Sequence, residues 1–321
     1  MTLSRRHLLK LSAALPLAAA APAFAATDKL SVVATTGMIA DAAMIVGGDL
    51  VEVQTLMGPG VDPHAYRQTR TDIVAMNRAD LVLWHGLYLE AQMEELLLEL
   101  AEKKPVVAVG EAVPQDKLIA HEDYDGRFDP HVWMVPALWG DVVRGVQAAM
   151  TEVAPDQAEM FEANATAYIA EIERLGAYTK DALTTVPTEA RVLLTAHDAF
   201  GYFGSDYGFE VMGIQGISTE SEAGLDRIAE LVDLLVERDI GAVFVETSVS
   251  DRNIKALIEG AAAKGHDVKI GGELYSDAMG EPGTYEGTYL GMIDHNVTTI
   301  AGALGGNVPS GGMDGKLSAG G

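Results

Sequence analysis

Three histidines and one aspartate stand in four short motifs spread over more than two hundred residues of a chain that contains no cysteine. The motifs are Val61-Asp62-Pro63-His64-Ala65-Tyr66, Phe128-Asp129-Pro130-His131-Val132-Trp133, Thr195-Ala196-His197-Asp198-Ala199-Phe200 and Gly271-Gly272-Glu273-Leu274-Tyr275-Ser276-Asp277. Imidazole nitrogen together with carboxylate oxygen is a donor set for a divalent transition metal. Alone, an Asp-Pro-His tripeptide reads as a surface turn, and a loop aspartate reads as a turn former. Two Asp-Pro-His copies in one chain weigh against that. In each, the proline fixes the backbone, and the acid is placed to bond a ring nitrogen or a loop amide beside the histidine. Donors so far apart meet only if the whole fold gathers them. That suits a carrier that closes on its ion better than a local structural clip.

The elements that must position these residues alternate in type. Strand signals cover Lys29–Thr36, Val51–Met57, Asp80–Trp84 and Pro105–Val109. Helical segments begin at Gly37, run over Thr69–Asn77 and run over Glu90–Lys103. A helical stretch from Ala137 to about Thr185 follows, interrupted near Ala154-Pro155-Asp156. In its second half Phe161, Ala165, Tyr168, Ile172 and Leu175 alternate steps of four and three, which marks one helix face. Strand signals resume at Arg191–Ala196, Glu210–Ile214, Ile240–Glu246 and Val268–Gly271, with helices over Gly224–Arg238 and Asp251–Lys264. Strands alternating with helices predict parallel sheets with right-handed crossovers. The candidate donors follow strands or lie in loops near strand ends, where ligands bind in open α/β sheets. The expected division is a leader over 1–25, an N-terminal α/β lobe over 26–154, a connecting helix over 155–186, a C-terminal α/β lobe over 187–304 and a Gly-rich tail over 305–321. The tail's composition predicts disorder.

The beginning of the chain reads as a targeting segment. Ser4-Arg5-Arg6-His7-Leu8-Leu9-Lys10 is a twin-arginine pattern, an Ala-rich stretch follows, and Ala23-Phe24-Ala25 offers a cleavage site. The expected location is the periplasm. Without cysteine there is no thiol for a lipid anchor and none for a disulfide, so the protein is expected to be free of lipid and held by its core. The formal net charge of −25 becomes more negative once a leader with Arg5, Arg6 and Lys10 is removed. Such a surface repels nucleic acid and anionic lipid, and it attracts cations without selecting among them. No other stretch has the ~18 continuous apolar residues of a membrane span. Of the other histidines, His121 in its acidic loop is expected to be solvated, and His85, after Trp84, to sit at the edge of the core.

These motifs resemble those of the TroA-like metal-binding proteins of bacterial ABC importers, which carry manganese, zinc or ferrous iron. The matching residues are Asp62-Pro63-His64-Ala65-Tyr66 with Thr69 and Asp72, Ala79-Asp80-Leu81 through Leu89-Glu90, Asp129-Pro130-His131-Val132-Trp133, His197-Asp198-Ala199-Phe200-Gly201-Tyr202-Phe203, Gly213 through Ser218, and Ile270-Gly271-Gly272 through Ser276-Asp277-Ala278-Met279-Gly280. The resemblance covers about residues 29 to 304. It implies two α/β lobes joined by one long rigid helix, with a metal site between them. Carried over by position, His64 and His131 come from the first lobe, and His197 and Asp277 from the second. It also implies one divalent ion as cargo (Mn2+ or Zn2+, with Fe2+ a further option), a membrane permease as partner, a monomeric carrier and no catalysis. Zinc-dedicated members often have a long His-rich loop before the second motif, and here Lys117–Phe128 is short with one histidine. Many manganese or iron members have glutamate at the third position, where this chain has His197. The surroundings of Gln215 and of Asp277–Met279 are nearest the manganese-associated members.

Two other classes compete with the carrier. A secreted metallohydrolase needs an open coordination position and a nearby general base, and the chain has no His-Glu-x-x-His motif. A metal-stabilised adhesin needs surface display, which a chain without a lipid anchor does not offer.

Overall fold

The computed structural model describes residues 29–121 and 124–318. The predicted leader at 1–25 lies outside the described residues.

The first lobe is built on a four-stranded parallel sheet. Its strands are β1 (Leu30–Ala34), β2 (Val51–Thr55), β3 (Leu81–Trp84) and β4 (Val106–Ala108), in the order β2-β1-β3-β4. The register places Leu30 against Val51, Val32 against Leu81 and Val82 against Val106. All four residues of β3 are buried, as expected for a central strand covered on both faces. Helix α1 (Gly37–Gly47) covers one face with Met38, Ile39, Ala42, Ala43 and Val46. Helix α2 (Arg70–Arg78) starts on a reciprocal Thr69–Asp72 capping box, which satisfies two otherwise orphaned donors. The predicted helix at Glu90–Lys103 is shorter, α3 (Glu94–Ala101). Glu90 itself is buried and accepts from His85 N at 2.7 Å, Gly86 N at 3.1 Å and Thr35 Oγ1 at 2.6 Å. It pins a turn in which Gly86, Leu87 and Tyr88 all have positive φ, so the chain there turns before any helix can start.

Helix α4 (Pro136–Val153) opens on proline, which fits a first helical position, and ends at Ala154-Pro155. Helix α5 (Ala158–Thr184) is the longest element and packs on α1 and α4. The predicted stripe is its buried face: Phe161, Ala165, Tyr168, Ile172 and Leu175.

In the second lobe β5 (Val192–Thr195) pairs in parallel with β6 (Glu210–Gly213), and β7 (Ala242–Glu246) pairs in parallel with β8 (Lys269–Leu274). The helices are α6 (Gly201–Tyr207), α7 (Leu225–Glu237), α8 (Arg252–Ala263) and α9 (Tyr289–Ala303). Helix α9 packs against α5, so α5 touches helices of both lobes. One apolar cluster runs from Ile39 and Leu83 through Trp139 and Leu175 to Phe200, Tyr289 and Ile300. The lobes therefore share a core. A second cluster, with Leu194, Leu235, Val243 and Leu257, belongs to the second lobe alone. No described helix is long and apolar enough to cross a membrane.

Two sequence expectations are corrected here. The tail was expected to be disordered, but residues 305–318 are laid against the protein, with Val308 and Met313 packed on the shared core. His121 was expected to be solvated, but it is buried and meets Tyr124 edge to face at 4.8 Å.

Candidate metal centre

His64, His131, His197 and Asp277 converge, each with a donor atom within 4.8 Å of the others, and all four are buried. Three of them follow strand ends: His64 lies on the loop after β2, His197 two residues after β5 and Asp277 three residues after β8. His131 comes instead from the segment just after the Ala120–Phe128 bridge, three residues past Phe128. The Nε2 atoms of His64 and His131 lie 3.3 Å apart, and those of His131 and His197 lie 3.4 Å apart. Asp277 presents Oδ1 to His131 Nε2 at 3.4 Å and Oδ2 to His197 Nε2 at 3.3 Å. A tetrahedral ion with bonds of ~2.0–2.1 Å has donor–donor edges of about 3.3–3.4 Å. The carboxylate faces the centre with both oxygens, and its Oδ1 is buried without a hydrogen-bond partner. A buried carboxylate oxygen in that condition is open to a cation.

A ring of acids orients the imidazoles. Asp129 Oδ1 accepts from both the His131 ring Nδ1 at 2.6 Å and the His131 amide at 2.9 Å. Glu246, the last residue of β7, accepts from His197 Nδ1 at 2.5 Å and from the His197 amide at 2.9 Å. Bonding at Nδ1 turns Nε2 toward the centre and raises its basicity as a donor. Asp62 acts on the backbone: its Oδ1 accepts from the His64 amide at 2.9 Å. Of the two acids in the paired motifs, only Asp129 is bonded to its histidine's ring as well as to an amide. Ser248 Oγ donates to Asp277 Oδ2 at 3.1 Å. His85, fully buried, donates from Nε2 to the Pro130 carbonyl at 2.7 Å and so steadies the residue before His131. Burial lowers its pKa to about 3, so it stays neutral.

Electrostatics separate the three candidate histidines. Burial depresses His131, but Asp129 and Asp277 outweigh it and hold the imidazole at about 9. Burial likewise depresses His197, and Asp277 and Glu246 overcome it and raise the group well above its usual value. His64 has no such excess of acids, and burial keeps it low and neutral. Burial alone would raise Asp277, yet His197 and His131 hold its carboxyl well below the usual range.

Hydrogen bonds cross between the lobes beside these residues. Trp133 Nε1 donates to the Ser276 carbonyl at 2.7 Å, and Thr219 Oγ1 donates to Asp62 Oδ2 at 2.6 Å. Sequence reading missed Glu246, Thr219 and Ser248. For Glu246 a signal was present: an acid closing the apolar run Ala242–Val245.

The chain is 50% identical over 264 residues to the manganese-binding lipoprotein MntA of Bacillus subtilis, covering 82% of this chain and 86% of that protein. It is 45% identical over 260 residues to the zinc-binding protein TroA of Treponema pallidum, covering 81% and 83%. The solved structure of the periplasmic zinc-binding TroA from Treponema pallidum superposes with a TM-score of 0.84 at 44% identity, over 86% of this chain and 99% of that one. The family described as ZnuA, zinc-uptake complex component A, periplasmic, matches residues 32–303, and the chain belongs to it.

Proposed function

We propose that this protein is a periplasmic carrier that holds one divalent transition metal ion between His64, His131, His197 and Asp277. It then passes the ion to the membrane subunits of an ABC importer. The observation that carries the reading is the convergence of four buried donors from two lobes, with Asp277 Oδ1 left without a hydrogen-bond partner. We propose manganese as the physiological cargo, supported by the 50% identity to a manganese-binding relative. Zinc is the second reading. It is favoured by the 3.3–3.4 Å spacing around His131 and between His197 and Asp277 and by the zinc-binding relative. The carrier works as a monomer after export through the leader, without lipid, although several relatives are named lipoproteins.

Catalysis is not part of this reading. Four protein donors, one of them a carboxylate turned inward with both oxygens, leave no coordination face for a substrate water. The deciding experiment is the metal content of protein taken from its own periplasm, paired with uptake of 54Mn and 65Zn by cells lacking it. Loss of manganese uptake supports the first cargo, and loss of zinc uptake alone supports the second. Normal uptake of both, or hydrolysis of esters or peptides by the pure protein, refutes the carrier.

A further inference from the structure

The family match ends at residue 303, so the segment beyond it must be understood from its own contacts. Those contacts are specific. Asn307 N donates to Thr185 Oγ1 at 2.8 Å, at the end of α5. Met313 N donates to both oxygens of Asp294, at 3.0 and 2.9 Å. Asp294 lies fully buried in α9 and also accepts from Tyr285 Oη at 3.2 Å. Gly312 has φ +72°, and a Cβ there would come within 2.5 Å of the Asp294 carboxylate, so the approach needs glycine. Asp314 receives both Nη atoms of Arg174, in the middle of α5, at 2.9 and 3.0 Å. Leu317 N closes the turn onto Gly311 O at 3.1 Å, and Ser318 N donates to Glu286 Oε1 at 2.8 Å.

The last contact gives the segment a target. Glu286 belongs to the loop between Asp277 and α9, and its carbonyl accepts from Gly280 N at 2.9 Å. On its other side this loop walls a cavity of about 280 Å³ with Met57, Pro63, Gly280 and Pro282. Met279 of the same loop is buried in the shared apolar core, so the tail's contact at Glu286 adds a second hold to the one that begins at Met279.

We propose that residues 305–318 are a brace that ties α5 and α9 to the 277–288 loop and thereby sets how long Asp277 keeps its ion. The positioning contacts are Met313 N on Asp294, Asp314 on Arg174 and Ser318 N on Glu286. The effect on the ion rests on the carrier reading above, whereas the effect on the loop does not.

The test uses the full chain, a chain ending at Val308, and two point variants, Gly312→Ala and Arg174→Asp. Amide exchange over residues 277–288 is measured on zinc-free protein, and zinc release into excess EDTA is followed by stopped flow. The brace predicts about tenfold faster exchange at Gly280 and about tenfold faster zinc release in the shortened chain and in Gly312→Ala. Adding Asp314→Arg to Arg174→Asp should restore slow exchange, which a general loss of stability would not. Exchange within about twofold of the full chain in Gly312→Ala overturns the brace, even if the shortened chain does not fold. Should the full chain take up no zinc, the carrier reading fails, and the exchange comparison still decides the brace.

Discussion

Replacing Glu246 by alanine is expected to weaken metal binding about 10- to 100-fold while all four proposed donors stay in the chain. The magnitude follows from two bonds. Glu246 accepts from His197 Nδ1 at 2.5 Å and from the His197 amide at 2.9 Å, and both residues are buried. A hydrogen bond to a charged group contributes about 1.5–3 kcal/mol, so losing both sets an upper bound of about 3–6 kcal/mol. Water entering the space left by the side chain recovers part of this. A net loss of about 1.4–2.8 kcal/mol then corresponds to one or two decades in affinity. Glutamine is a sharper probe, because it keeps the volume but has one acceptor oxygen for two donors. Its amide N–H then faces either Nδ1–H or the backbone N–H, so Glu246→Gln should recover only part of the affinity. Chelator competition with zinc and manganese measures both variants. Affinity of Glu246→Ala within about twofold of the parent, with a melting temperature unchanged, would show that His197 needs no carboxylate to aim it.

Substituting alanine for His64, His131, His197 or Asp277 one at a time should each cost at least about tenfold in affinity by the same titration, and parent-like binding in any of them strikes that residue from the donor set. Affinity should rise with pH by up to about two decades per unit between about pH 7 and 9, because His131, near 9, and His197, raised above its usual value, must shed protons before binding; a flat profile contradicts this. In the metal-free protein the same raised groups stabilise the fold below about pH 6.5 and lose that contribution as pH passes through about 9, so its melting temperature should fall over that window. Zinc should outcompete manganese in vitro, as expected for a site with three imidazoles, and a manganese win would mean a more oxygen-rich site. Trp133→Phe leaves the Ser276 carbonyl without its donor at a cost of about 1–3 kcal/mol and should speed metal release; unchanged release would remove Trp133 from the closure.

The first lobe and the convergence of its two candidate histidines were readable because local signals agree with the fold. Strand β3 is a continuous apolar run, α2 carries its own capping box, and both Asp-Pro-His motifs mark their histidines directly. The stripe from Phe161 to Leu175 likewise gave the buried face of α5. What could not be read depends on long-range pairing. Glu246 lies 49 positions from His197 and Thr219 lies 157 from Asp62; the acid closing the run Ala242–Val245 singles out Glu246, but no local pattern names either partner. The tail misled for the opposite reason. Its glycines carry a disorder composition, but Gly312 is there because the chain must pass close to Asp294 with φ +72°. His121 misled because its acidic neighbours suggest water, while the fold buries it and sets its ring against Tyr124.

The cross-lobe bonds bear on how an ion would be let go. Trp133 lies two residues after His131, and its partner Ser276 immediately precedes Asp277. Asp62 lies two residues before His64, and it meets Thr219 of the other lobe. These two bonds between the lobes thus flank the proposed donors, so opening at these points would displace them. A ligand shifts such an equilibrium only by its difference in affinity between the two states. With two proposed donors on each lobe, a closed state would offer four and an opened state only the His64–His131 pair of the first lobe. His197 and Asp277 leave together, because both sit at strand ends of the second lobe. On the proposed carrier reading, a permease that drew the lobes apart by a small distance would remove an imidazole and the only carboxylate of the set in one movement, and would leave the ion on two neutral donors.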